Sequence, residues 1–99
     1  MKRVVFSPKA ERDLKAIADY IAADNPRRAA SFVEEIRKGC SRLESLPRSA
    51  RRFAELGPDA HVLPYQNYLI LYRNLPQEVS IERVLHGARD ILTLISDES

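Results

Sequence analysis

The chain is predicted to be a single α+β domain: an antiparallel sheet packed on one face by an αα-hairpin, in the order β-α-α-β-β-β with a short C-terminal helix. Three observations carry this reading. Two helix starts, Ser7-Pro8 and Asn25-Pro26, each open a run of apolar residues at helical spacing. Strand-like runs follow between residues 60 and 86, joined by links short enough for antiparallel hairpins. The length of 99 residues suits one domain, 1–99, and leaves no room for a second.

Val4-Val5-Phe6 reads as a short strand that pairs into the later sheet. Ser7 then offers a side-chain cap, and Pro8 sits at the first helical position, where its missing N–H costs nothing. Ala10, Leu14, Ile17, Ala18 and Ile21 form the apolar stripe, while Lys9, Arg12, Asp13, Lys15 and Asp19 lie off it. This helix should stop near Ala23-Asp24. The second helix carries Ala29, Val33, Ile36, Cys40 and Leu43, broadened by Phe32 and Leu46, and Pro47 ends it. So short a connection makes the two helices antiparallel neighbours. Gly39 weakens its helix by roughly 1 kcal/mol relative to alanine, which suggests a close helix contact. Cys40, on the stripe, reads as a small core residue.

Residues 47–52 form a basic loop, and Phe53-Ala54-Glu55-Leu56 leads into a turn at Gly57-Pro58-Asp59. Ala60 to Tyr65 is the next strand, with Pro64 marking an edge or a bulge. Tyr68 to Arg73 is apolar on both faces and should be central. Val79 to His86 alternates, placing Val79, Ile81 and Leu85 on one side. Asn67 and Leu75-Pro76-Gln77 supply the turns. Ala88, Ile91, Leu92 and Ile95 have the spacing of a terminal helix.

Hydrophobic residues make up 44% and charged ones 30%, the balance of a globular chain. No apolar run approaches the ~18 residues of a membrane span, so no membrane association is expected. Val4-Val5-Phe6 is too short for a secretory signal, and a cytoplasmic protein is the simple expectation. Cys40 is the lone cysteine, which excludes a disulfide within the chain. His61 and His86 lie far apart in sequence, so no metal site is expected. Gly39, Gly57 and Gly87 build no phosphate loop, and no nucleophile elbow or cofactor motif occurs. Glu34-Glu35 reads as solvated helix surface.

The net charge of +2 is mild but unevenly spread. Residues 27–52 hold eight Lys/Arg against three Glu, a balance of +5, whereas residues 74–99 hold two Arg against five acids, a balance of −3. Twelve of the sixteen cations are arginine, whose fork grips carboxylates and phosphates in a way lysine does not. An acidic partner, polypeptide or nucleic acid, fits this pattern as well as a merely solvated face does. The residues also leave open a metal-free ribonuclease, which needs a base, an acid and cations for the charge that develops on phosphorus. Arg51, Arg52, His61, Arg73, Arg83, His86 and Arg89 all come from the loop-and-sheet half and are the groups available for it.

The segment Val79-Ser-Ile-Glu-Arg-Val-Leu-His-Gly-Ala-Arg-Asp90, preceded by Tyr68-Leu-Ile-Leu-Tyr-Arg73, resembles the RelE/ParE family of toxins of type II toxin–antitoxin systems. Phe6 to Leu14 is similar to that family's opening strand and helix. Asn25-Pro26, Ala29-Ala30, Phe32 and the Leu43-to-Pro47 segment are similar to its second helix. The RelE branch cuts mRNA in the ribosome; the ParE branch poisons DNA gyrase without hydrolytic chemistry of its own. The positions of the two RelE lysines fall here at Val62 and Pro64, and that of an arginine at Leu69. Arg89 fits the second arginine. The closing tyrosine falls near Ile95, and no tyrosine follows Tyr72. The resemblance therefore implies a ParE-like toxin that acts by binding DNA gyrase and has no catalytic residues.

It further implies a cognate antitoxin with an acidic, partly disordered tail, in a complex that can be a higher-order hetero-oligomer. Such a tail would wrap the helical hairpin or add to the sheet edge. Candidate target contacts are Arg48, Arg51, Arg52, Arg83, His86 and Arg89. Candidate antitoxin contacts are Leu14, Ile17, Ile21, Phe32 and Ile36. Specific DNA binding by the toxin alone is not expected. A RelE-like ribonuclease, ribosome-dependent or free, built on His61, His86 and Arg89 is the alternative. A non-toxic, antitoxin-binding relic of the family is the third reading.

Overall fold

The computed structural model describes residues 2–87 and 90. A strand β1 (Arg3–Phe6) leads into helix α1 (Pro8–Ala22), which is followed by α2 (Pro26–Ser41) and a 3-10 turn at Arg42–Glu44. Strand β2 (Arg51–Arg52) and a second 3-10 turn (Ala54–Leu56) precede β3 (Ala60–Tyr65), β4 (Tyr68–Asn74) and β5 (Glu78–His86). The terminal helix expected from Ala88 to Ile95 lies outside the described residues.

Both helix starts form as their caps dictate. Ser7 Oγ accepts from the Ala10 N–H at 3.0 Å, and Asn25 Oδ1 accepts from the Arg28 N–H at 3.1 Å. The helices stop at Ala22 and at Ser41. The early end of α2 has a cause and a consequence. The chain tightens into the 3-10 turn, where side chains repeat every three residues rather than every 3.6. Leu43 still reaches the core, but Leu46, expected on the apolar stripe, swings out to 60% exposure. Gly39 makes no close helix contact, because a Cβ built there would meet nothing within 4 Å.

The sheet has five strands in the order β1-β5-β4-β3-β2, with β4 central as its doubly apolar sequence requires. Three pairings are antiparallel, but β1 runs parallel to β5, Arg3 beside Glu78 through Phe6 beside Ile81. The sheet is therefore mixed. A parallel neighbour needs a long connection, and here the whole chain from α1 to β4 lies between the two strands. The expected basic loop also contributes an edge strand, since Arg51 and Arg52 pair with Val62 and His61. Pro64 lies beyond the reach of β2, on the free part of that edge.

A β-bulge corrects the expected alternation of β5. Leu71 faces Arg83 while its neighbour Tyr72 faces Ile81, so Glu82 is the extra residue. Val79, Ile81 and then Val84 enter the core beneath the helices, and Leu85 moves to the opposite face. Side chains of the first helix region hold the bulge. The Ser7 hydroxyl donates to the Glu82 carbonyl at 2.9 Å, and Asp13 accepts the Val84 N–H at 2.9 Å. These bonds satisfy the stretch of β5 that extends past β1, and Asp90 caps the His86 N–H at 3.0 Å.

The main core joins Ala10 and Leu14 of α1, Phe32, Ile36 and Cys40 of α2, and Ile70, Tyr72, Val79, Ile81 and Val84 of the sheet. A smaller cluster of Ala60, Val62, Leu71 and Leu85 covers the other face beneath Phe53 and Leu56. Cys40 is a core residue as its place on the stripe implies, and burial pushes its thiol up to about 12. The folded protein is accordingly expected to resist alkylation by iodoacetamide at mildly alkaline pH and to react once unfolded. Rapid labelling of the native state, followed by mass spectrometry, would contradict this placement.

Candidate functional site

Among the described residues, several predicted contact residues gather at the arginine-rich end of the sheet. Arg48 and Arg52 border a depression of about 460 Å³ floored by His61 and Asn74. Arg51 is the neighbour of Arg52 on the same two-residue strand, and β-alternation gives it to the opposite face. All three arginines are exposed and make no ion pair or side-chain hydrogen bond among the described residues. The charge here is therefore available to a partner, not spent internally.

His61 is 5% exposed. Its Nδ1 lies 3.0 Å from the Ala50 carbonyl, and its ring stacks on Tyr72 at 5.1 Å between centroids. Tyr72 is itself anchored by donating to the Pro47 carbonyl at 2.8 Å. His61 thus braces the basic loop against the sheet. His86 is exposed and meets the Tyr68 ring edge-on at 5.2 Å. The two histidines pair with Tyr72 and Tyr68, four residues apart along β4, which is about 13 Å. They do not converge on one bond.

Arg83, expected as an open contact residue, forks instead onto Asp13, with Nε at 2.8 Å and Nη2 at 3.1 Å. The Asp13 carboxylate raises the pKa of that guanidinium further. Arg83 is a structural partner first. Arg89 lies outside the described residues. The positions matched to the RelE cations share one sheet face: Val62 and Leu69 belong to the smaller apolar cluster, and Pro64 pairs with Leu69. No group of three or more His, Cys, Asp or Glu able to hold a metal occurs among the described residues. No helix there is long and apolar enough to cross a membrane.

The expected antitoxin contacts divide. Leu14, Phe32 and Ile36 are core residues, 1–2% exposed, and are not surface contacts in this structure. Ile17 and Ile21 are half-buried against the same core. A stripe of apolar residues at helical spacing marks the buried face first, and sequence alone does not divide that face between core and partner.

Two surfaces escaped the sequence reading. One is an apolar groove of about 510 Å³ between the C-terminal half of α2 and the free edge of β3, walled by Gly39, Leu46, Leu63, Pro64 and Tyr65. Lys38 and Arg42 stand at its rim, and Glu35 closes one side. Glu35 is gripped by Arg28 at 2.6 Å and accepts a hydrogen bond from the Tyr65 hydroxyl, and these bonds, Arg28 first, hold its carboxyl below the ordinary range. The exposed Leu46 was the available sign, but only the early end of α2 reveals it. The other is a depression of about 450 Å³ where Lys9 and Arg12 of α1 meet Arg73 and Arg83. Its cations come from three distant segments, so no local run announces it.

The arrangement is a mixed sheet with one parallel edge pair, backed by a helical hairpin and carrying a cationic end. Residues 4–91 match the family described as the ParE toxin of the type II toxin–antitoxin system parDE, and the chain belongs to that family. Among solved structures it is similar to a chain of the chromosomal ParDE toxin–antitoxin system from P. aeruginosa, with 25% identity and a TM-score of 0.75 over 88% of this chain and 97% of that one. It is also similar to a chain of the RelBE2 toxin–antitoxin complex from Mycobacterium tuberculosis, with 26% identity and a TM-score of 0.60 over 88% of this chain and 92% of that one. A comparison with curated protein sequences gives no match.

Proposed function

We propose that this chain is the toxin of a type II toxin–antitoxin pair, that it acts by binding DNA gyrase, and that a cognate antitoxin neutralises it. The observation that carries the gyrase reading over the ribonuclease is the sheet face at Val62, Pro64 and Leu69. A ribonuclease needs cations there to stabilise charge on the scissile phosphate, and this chain places apolar side chains instead. His61, the first candidate base, is locked between Ala50 and Tyr72, and His86 stands about 13 Å away. The exposed and unpaired Arg48, Arg51 and Arg52 are the target-facing contacts in this reading.

The antitoxin occupies the groove between α2 and β3 and continues toward Ile17 and Ile21. The groove supports an amphipathic segment: apolar walls at Leu46 and Leu63 take its anchors, and Lys38 and Arg42 take its acidic residues. The free edge of β3 beyond β2 offers backbone groups to an added strand. The protein inhabits the cytoplasm, where gyrase and an antitoxin would meet it.

Purified chain is expected to inhibit gyrase supercoiling of plasmid DNA and to leave mRNA intact with and without ribosomes. Expressed alone, it should stop thymidine incorporation before methionine incorporation, and co-expressed antitoxin should restore both. New RNA ends within minutes of induction, with normal supercoiling, would replace this reading by the ribonuclease. Growth unaffected by expression in the natural host would point to the non-toxic relic.

A further inference from the structure

The depression at the cationic end of the sheet has a floor whose hydrogen-bonding capacity the fold leaves unused. Arg52 of β2, His61 of β3 and Tyr72 of β4 form one cross-strand row, and Asn74 follows two residues along β4 on the same face. The Phe53 N–H donates to the Ala60 carbonyl at 2.8 Å. The next pair in register, Arg52 and His61, is therefore a non-hydrogen-bonded pair, in which facing side chains stand closest. Arg48 lines the same depression from the loop. His61 Nδ1 lies 3.0 Å from the Ala50 carbonyl, and a carbonyl only accepts, so Nδ1 carries the proton. Nε2 has no partner, yet no buried side-chain nitrogen or oxygen among the described residues lacks one. Nε2 therefore opens to solvent, and the depression is the opening that the ring lines. Asn74 is fixed likewise: Lys2 Nζ donates to its Oδ1 at 2.5 Å, which leaves the amide N–H groups to donate.

These groups define the ligand. Arg48, Arg52 and the Asn74 amide are donors brought by a loop, an edge strand and a central strand. They suit an anion with acceptor oxygens on several sides, as a tetrahedral oxyanion has and a planar carboxylate has not. Asp59, the one acid in the lining, is held by Arg73 Nη1 at 2.8 Å, and Lys2 adds a cation at Asn74. His61 sets a second requirement. Its neutral ring presents a lone pair at Nε2, so an oxyanion oxygen that faces it must bring a proton. Hydrogen phosphate carries that proton together with two negative charges. Sulfate has none, and a phosphomonoester has lost its own above about pH 6. No exposed aromatic ring lines the depression to hold a group attached to phosphate. We propose that Arg48, Arg52, His61 and Asn74 bind inorganic hydrogen phosphate, whose hydroxyl donates to His61 Nε2 while its other oxygens accept from the two arginines and the Asn74 amide. This site goes beyond the gyrase reading and does not depend on it.

The test is an NMR titration of the purified chain with sodium phosphate, sodium sulfate, glycerol phosphate and sodium acetate at constant ionic strength, with the His61 ring nitrogen shifts recording where its proton sits. Phosphate is expected to hold its affinity between about pH 7.5 and 8.5, while sulfate, which must draw a proton from water onto Nε2, weakens by about tenfold over that unit. Facing the ring are Arg52 across the strand pair, Arg48 and Asp59 in the lining, and Tyr72 stacked against it. Burial raises the pKa of the Tyr72 hydroxyl, which donates to the Pro47 carbonyl, so His61 is the group whose proton count follows the ligand. Arg48 and Arg52 are exposed, so the Arg48→Gln/Arg52→Gln variant should fold normally, checked by thermal melting, and lose about tenfold or more in affinity for phosphate and sulfate alike. His61→Asn keeps a donor for the Ala50 carbonyl and removes Nε2, so it should bring phosphate down to the level of sulfate and abolish the pH dependence of sulfate. If that variant does not fold, the parent's phosphate-to-sulfate ratio and the arginine variant decide. Sulfate or glycerol phosphate binding as tightly as phosphate at about pH 8 overturns the proposal, as does binding unchanged in the folded arginine variant. Acetate binding as tightly would assign the site to carboxylates and also overturn it. No measurement here involves gyrase, so failure of the phosphate site leaves the proposed function standing.

Discussion

Replacing Phe32 by alanine is expected to destabilise the free chain by about 3–5 kcal/mol. Phe32 is 2% exposed and packs with Tyr65 and Tyr68 at centroid distances of 5.7 and 5.3 Å. The Arg28 guanidinium lies over its ring at 5.1 Å. Alanine removes the transfer free energy of the ring and leaves a cavity among neighbours fixed by a sheet and a helix, which collapse only partly. Domains of this kind are stable by only about 5–15 kcal/mol, so the variant should be marginal or unfolded at growth temperature. Urea unfolding of the free chain measures it. A loss below about 1 kcal/mol, far under the range for a buried aromatic, would mean that Phe32 is a partner contact after all. Tyr20, at 78% exposure, is the contrasting aromatic, and its alanine variant should leave stability within about 0.5 kcal/mol of the parent.

Asp13→Ala is expected to cost about 2–4 kcal/mol. The Asp13 side chain is 17% exposed and that of Arg83 is 28%, so both groups lose part of their hydration on folding. Removing the carboxylate strands the Val84 N–H and the Arg83 fork together, on the stretch of β5 that β1 does not cover. The Glu82 bulge would keep only its Ser7 bond to the helix region. For a domain of this size each kcal/mol moves the melting temperature by about 4–8 °C. The exposed pair Arg37–Glu11 is as short, at 2.6 Å, yet Glu11→Ala should cost less than about 1 kcal/mol, because water replaces that partner readily. Equal melting temperatures for the Asp13 and Glu11 variants would show that the Asp13 bonds do not hold the bulge.

Much of the candidate site was legible by type and not by place. The basic run 48–52 was visible as charge, and its arginines do remain unpaired. Arg83 looked the same in sequence, yet Asp13, 70 residues earlier, claims it. His61 and His86 looked alike as titratable groups, but one is a buried brace and the other an exposed edge residue. Lys9 and Arg12 read as the solvated side of a helix until β4 and β5 brought Arg73 and Arg83 beside them. A side chain's chemistry is written in its own residue; its availability is set by residues distant in the chain.

By itself the sequence determined both helix starts, through Ser7-Pro8 and Asn25-Pro26, and the extents of β3 and β4 to within a residue. It also determined that β4 is central and Cys40 buried, since capping, turn chemistry and apolar periodicity act over a few residues. The resemblance of its segments to the RelE/ParE family, matched here over residues 4–91, was carried by the same local order. Tertiary structure alone decided the parallel docking of β1 on β5, the bulge that turns Leu85 away from Val79 and Ile81, and the early end of α2 that exposes Leu46. It also decided which apolar residues of the hairpin serve the core and which cations stay free. Each of these depends on pairing or packing between segments far apart in the chain, whose free energies a local pattern does not contain.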